Sequence, residues 1–157
     1  MQVSEAMSGD VKIANPNQSV RDAARLMAEI DAGILPVGEN DKLVGVITDR
    51  DIAIRAVGAD KGPATPIREI MSEDVKYCFE DDDLDDIAQN MADIKVRRLP
   101  VLNREKRLVG ILSLGDIALT DGPSNAGSAL CGICEPGGDH SQSMDEGRAA
   151  PRSGKAR

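Results

Sequence analysis

The sequence predicts a mixed α/β (α+β) fold made of two βαββα repeats packed about a pseudo-twofold axis and followed by a flexible C-terminal tail. Three observations carry this. The chain repeats itself: MSGDVKIANPNQSVRDAARLMAEIDAGILPV from Met7 is matched by MSEDVKYCFEDDDLDDIAQNMADIKVRRLPV from Met71, and KLVGVITDRDIA by RLVGILSLGDIA. Within each copy a stretch of helical periodicity is followed by two short apolar runs. After Ala118 both patterns give way to a stretch dense in Gly, Ser and Pro.

The elements follow in order. Each copy opens with a Met-Ser pair and a short extended stretch, 11–14 or 75–79. A helix-start signal comes next, Ser19 with Asp22 or Asp83 with Asp86, in which the first side chain caps a free amide. The helix of copy one then carries Val20, Ala23, Ala24, Met27 and Ile30, and that of copy two Leu84, Ile87, Ala88, Met91 and Ile94, so each has one apolar face. Two apolar runs follow, 34–37 and 43–47 in copy one and 99–102 and 108–112 in copy two. The polar GENDK and NREKR between them read as hairpin turns. A second helix begins near Asp49 and near Gly115. The hairpin strands are too apolar to face water on either side, so two copies must cover each other. The expected boundaries are 1–60 for copy one, 61–120 for copy two, with 57–66 as linker, and 121–157 for a mostly disordered tail in which 129–133 could dock on the body.

Composition narrows the function. An aromatic fraction of 1% leaves an aliphatic core and few rings to stack on bases or sugars. A net charge of -8 repels phosphodiester backbones and anionic membranes, so neither nucleic acid nor membrane is expected as a partner. No apolar run approaches the roughly 20 residues of a membrane-spanning helix, and no secretory signal opens the chain. Three cysteines, Cys78, Cys131 and Cys134, form no disulfide framework, so a reducing, cytoplasmic location is expected.

The chemistry concentrates at the end of each second hairpin strand, in GVITDRD and GILSLGD. Thr48 and Ser113 are hydroxyls at strand ends, and Asp51 and Asp116 stand three positions later in the first helical turn. Such a pair faces one crevice, where free amides favour a phosphate and the carboxylate can accept both ribose hydroxyls. The same residues also read as simple helix N-caps with acidic first turns, a reading that duplication in register weakens.

The ordered set MS-x-D-V, L-P-V, K/R-LVG and (T/S)-x-x-D-I-A resembles the CBS domain family, arranged as the pair called a Bateman module. The resemblance spans roughly three quarters of the chain. It implies a regulatory module, not an enzyme, that binds AMP, ADP, ATP or a related adenosyl compound, with NAD and S-adenosylmethionine included, and needs no cofactor. It implies that Asp51 with Thr48 serves one cleft and Asp116 with Ser113 the other. Adenine would lie against the early stretch of the opposite copy, near Val75 and Tyr77 or near Val11 and Ile13. Arg97 and Arg98 stand where family members carry phosphate-binding bases, with Arg50 as a further candidate, while copy one has Gly33 and Ile34 there. Two unequal clefts follow. A homodimer is implied, and an unidentified protein partner would read the ligand state.

Two other readings stand beside this one: a ligand-free interaction module, and a thiol or metal switch built on Cys131, Cys134, His140 and Cys78. The Cys131–Cys134 spacing alone is a weak zinc signal, and a thioredoxin-like pair should open a helix. The acidic run 80–86 reads as a solvated helix start, since the ligand spacing and Gly turn of a calcium loop are missing. No metal site and no catalytic set is expected, because nothing pairs a nucleophile with a base.

Overall fold

The computed structural model describes residues 1–40 and 42–136. Helix α1 spans Val20–Ile30, and its start is the capping box expected at Ser19: Ser19 Oγ accepts from the Asp22 N–H and Asp22 Oδ2 from the Ser19 N–H. Strands β1 (Ile34–Glu39) and β2 (Lys42–Thr48) form an antiparallel hairpin in which Ile34 faces Thr48 and Leu35 faces Ile47. Helix α2 (Asp49–Asp51) continues as a π-helical turn over Ile52–Ala56. Copy two supplies β3 (Cys78–Phe79), helix α3 (Leu84–Ile94), strands β4 (Arg98–Leu102) and β5 (Leu108–Ser113), and helix α4 (Leu114–Asp121). Its sheet has the order β3-β4-β5.

Some local expectations shift. The stretch 11–14 contributes only Ala14, which pairs in parallel with Val37, because the residues before it lack a continuous partner edge. The strand expected over 75–79 shortens to β3. β1 buries three successive residues, Leu35 to Val37, and β4 four, Leu99 to Leu102, whereas β2 and β5 bury alternate residues, so only these runs of the first strands are shielded on both faces. The first part of the expected tail is helical. Helix α5 runs over Pro123–Cys134 with a proline in its first turn, packs against α3 and α4, and buries Ala126 and Ala129. Its small residues have weak hydrophobic periodicity, which is why composition alone reads as coil. Residues 137–157 lie outside the described residues.

The chain forms two compact units, and their boundaries cross the repeat boundaries. One unit holds Asp10–Tyr77 with Leu102–Leu108; the other holds Met1–Gly9, Cys78–Val101 and the chain from Val109 onward. The leader of each repeat is therefore housed with the other repeat. Ser8 exchanges two backbone hydrogen bonds with Ile111 of β5, and Ser72 exchanges two with Val46 of β2. Val3 and Ala6 enter the core of copy two with Leu84, Met91, Leu99 and Leu112. Ile67, Ile70 and Met71 enter that of copy one with Leu35, Val37 and Ile47. The expected boundaries at 1–60 and 61–120 describe the repeats, and the compact units are drawn across them.

Two glycines make the exchange fit. A Cβ on Gly45 would sit 2.7 Å from Met71 Sδ and 2.8 Å from the Ser72 carbonyl oxygen. One on Gly110 would sit 2.6 Å from Met7 Sδ and 2.9 Å from the Ser8 carbonyl oxygen. The glycine of each LVG triplet and the Met-Ser pair of the other copy are thus one packing device. Among the described residues no helix is long and apolar enough to cross a membrane.

Candidate ligand-binding site

The two (T/S)-x-x-D segments fold identically. Thr48 Oγ1 accepts from the Asp51 N–H at 3.0 Å, and Asp51 Oδ2 accepts from the Thr48 N–H at 2.9 Å. Ser113 Oγ and Asp116 do the same at 3.0 and 2.8 Å. Both pairs are capping boxes, so the bland reading of these residues is structurally correct. It leaves chemistry over. Each hydroxyl still has its proton to donate, and each half-buried carboxylate is held by one oxygen in a fixed pose. The box is a positioning device for the second oxygen.

Arg97 is joined through its backbone to the second box. The Arg97 carbonyl accepts from the Leu114 N–H at 2.9 Å, which ties the residue before β4 to the first residue of α4, between Ser113 and Asp116. Arg97 and Arg98 are exposed, and among the described residues neither has an ion-pair partner. In copy one the Gly33 carbonyl accepts from the Asp49 N–H at 3.0 Å in the same way. Here the Asp49 carboxylate lies over Gly33, with Oδ2 2.9 Å from where a Cβ would stand. Its Oδ1 accepts from the Arg50 N–H at 2.8 Å, and the Arg50 side chain is exposed. The two boxes therefore differ in charge: Asp116 with Arg97 and Arg98 in copy two, Asp51 with Asp49 and Arg50 in copy one. This inequality was legible in the sequence for the arginines. Asp49, whose place in copy two is taken by Leu114, adds a carboxylate that the shared motif does not flag.

The expected adenine contacts divide. Val75 and Tyr77 share a unit with Thr48 and Asp51, whereas Val11 and Ile13 do not share one with Ser113 and Asp116. Val75 and Tyr77 line a hollow of about 400 Å³ together with Lys42, Leu43, Glu73, Leu102, Glu105 and Lys106. A second hollow of about 300 Å³ lies along α1, lined by Ala14, Gln18, Asp22 and Leu26 among others. Neither touches Thr48, Asp51, Ser113 or Asp116. Ile13 is 47% exposed and Tyr77 40%, while Val11 and Val75 are half-buried.

The family model of the CBS domain matches this chain twice, over residues 3–58 and 67–120. The chain is a tandem CBS-domain protein. The CBS domain-containing protein YhcV of Bacillus subtilis is 39% identical over 132 residues, covering 83% of this chain and 94% of YhcV. The CBS domain pair of protein MJ0100, solved in complex with 5′-methylthioadenosine and S-adenosyl-L-methionine, superposes with a TM-score of 0.70 at 32% identity, covering 78% of this chain and 96% of that one. Hypoxic Response Protein I, solved with two coordinated zinc ions, superposes with a TM-score of 0.69 at 32% identity, covering 76% of this chain and 98% of that one.

The remaining candidates resolve around the CBS pair. Among the described residues no group of three or more His, Cys, Asp or Glu side chains could hold a metal ion; His140 lies outside them. The acidic run is used structurally: Asp83 caps α3 through the Asp85 and Asp86 N–H groups, and Asp82 accepts from the Phe79 N–H. Cys78 is buried, and burial, reinforced by the charge of Asp82, pushes its thiol up to about 12. It is a core residue rather than a nucleophile.

Proposed function

We propose that this CBS pair is a regulatory module that binds adenosyl ligands at the two capping boxes and carries out no reaction on them. The observation that carries the reading is the duplicated box itself. Each holds an Asp in a fixed pose beside a hydroxyl, as ribose recognition requires. The adenosyl compounds bound to the MJ0100 pair support the ligand class.

Charge supports a division of ligands between the boxes. The Asp116 box, with Arg97 and Arg98 at the start of β4, suits AMP, ADP or ATP, because guanidinium groups pair bidentately with phosphate. The Asp51 box carries a second carboxylate, Asp49, which repels a phosphate and suits a neutral or cationic adenosyl group such as a sulfonium. Ligand binding would bias the arrangement that a partner protein reads. Ile54 and Leu119 occupy equivalent positions in the two copies and are 51% and 90% exposed, which supports association of two chains through these helices.

Calorimetric titration of the nucleotide-stripped chain with ATP, AMP and S-adenosylmethionine tests the reading. ATP binding is expected to weaken in D116N and S-adenosylmethionine binding in D51N, each about 10–100-fold. Absence of heat and of any thermal shift with all three at millimolar concentration would refute it.

A further inference from the structure

Helix α5 has no counterpart in copy one, and its last turn carries Cys131 and Cys134, both exposed. Three observations describe how this turn is held. Gly132, between the two cysteines, lies directly on α3: a Cβ there would meet the Ala92 Cβ at 2.6 Å. Lys95, the residue that ends α3, donates from Nζ to the Gly132 carbonyl at 3.0 Å and to the Glu135 carbonyl at 2.9 Å. The helix's own closing bond, Glu135 N–H to the Gly132 carbonyl, is long at 3.4 Å. At the end of α5 a lysine of α3 thus grips the carbonyl between two thiols.

We propose that Cys131 and Cys134 are a dithiol oxidation site whose closure to a disulfide releases the end of α5 from Lys95. Residues three apart on a helix face the same way, with Cβ atoms about 5–6 Å apart. A disulfide needs about 3.5–4.5 Å. Closure must therefore draw the two cysteines together by about 1–2 Å. Because Gly132 cannot sink further into Ala92, the adjustment falls on the last turn and rotates the carbonyl that Lys95 holds. The last turn is where a helix frays most readily, and the bond that closes it at Glu135 is long, so the adjustment is taken up there.

The oxidant is a low-molecular-weight disulfide. One cysteine thiolate attacks a sulfur of that disulfide, the S–S bond breaks, and one thiol leaves, giving a mixed disulfide on the chain. The second thiolate attacks the chain sulfur and expels the other thiol. Both cysteine protons go to solvent or to the leaving thiolates, two electrons pass from the cysteines to the oxidant, and one disulfide is exchanged for another. Cys78, buried against the Pro100 carbonyl, stays outside this exchange.

The test uses the full chain with oxidised glutathione at pH 8, followed by alkylation and peptide mass measurement. The peptide containing Cys131 and Cys134 is expected to be about 2 Da lighter and resistant to alkylation. C134S is expected to hold glutathione on Cys131 as the end product. Amide exchange over residues 123–135 should quicken about tenfold or more on oxidation, and K95M should reproduce this with both thiols reduced. Stable glutathione adducts on both cysteines of the wild-type chain, or disulfides between chains, would overturn the site. Ring closure that leaves amide exchange over 123–135 unchanged would overturn the release of α5.

Discussion

Replacing Gly45 by Ala tests the exchange of leader segments on which both units depend. The new methyl would stand 2.8 Å from the Ser72 carbonyl oxygen and 2.7 Å from Met71 Sδ. Met71 can swing its thioether aside, but the Ser72 carbonyl is backbone. To reach ordinary contact at 3.4 Å it must retreat by about 0.6 Å. That retreat strains the reciprocal Val46 and Ser72 hydrogen bonds, now 3.0 and 2.9 Å, each worth about 1 kcal/mol. Overpacking costs of about 1–3 kcal/mol agree with this sum. The smaller unfolded-state entropy of Ala offsets about 0.4–1 kcal/mol. Gly45 does not have a positive φ, so backbone strain adds nothing and the effect is purely one of contact. The net loss is about 1–2 kcal/mol, read as a lower urea midpoint at constant slope and a Tm fall of about 2–8 °C. G110A should behave alike, since its methyl meets the Ser8 carbonyl oxygen at 2.9 Å. Gly62 has nothing within 4 Å, so G62A is the control and should be neutral or slightly stabilising. If G45A and G110A unfold no more easily than G62A, the packing of the Met-Ser leaders on the glycines is wrong.

Other outcomes follow from the boxes and the buried thiol. D51A should lose about 0.5–1.5 kcal/mol of stability, because the Thr48 N–H loses its acceptor while the Thr48 hydroxyl still caps the backbone N–H of residue 51, whereas D51N, whose amide oxygen can still accept from the Thr48 N–H, should stay within about 0.5 kcal/mol in urea unfolding. D116N should weaken a phosphorylated adenosyl ligand about 10–100-fold by calorimetry without unfolding the chain, since a charged hydrogen bond is worth about 1.5–3 kcal/mol. R97A with R98A should weaken ATP and leave S-adenosylmethionine unchanged, and the ATP affinity of the wild type should fall with salt more steeply than that of the variant. For Cys78 the folded state holds the thiol up at about 12 against an ordinary 9.0, so folding favours the protonated form. Its contribution is complete below about pH 9 and is lost as pH rises toward 12, and urea midpoints at pH 8 and 10.5 should therefore diverge more in the wild type than in C78A.

Sequence alone determined the repeat, the helices and hairpins, and the charge difference between the copies. These rest on local signals: period-3.6 and short apolar runs, caps such as Ser19 and Asp83, and the Arg pair that replaces Gly33 and Ile34. Tertiary structure decided what those signals do. Thr48 and Ser113 could be read as ligand hydroxyls or as caps, and the hydrogen bonds show caps that also fix Asp51 and Asp116. The glycine of each LVG triplet is invisible as a contact until the other copy's Met-Ser pair lies across it, because a partner distant in sequence leaves no periodic trace. Helix α5 is the clearest case. Its Gly, Ser and Asn residues are weak helix formers and its Ala residues mark no sharp apolar stripe, so the helix leans on the close approach to α3, Gly132 on Ala92 with Lys95 over the last turn, which only the folded chain supplies.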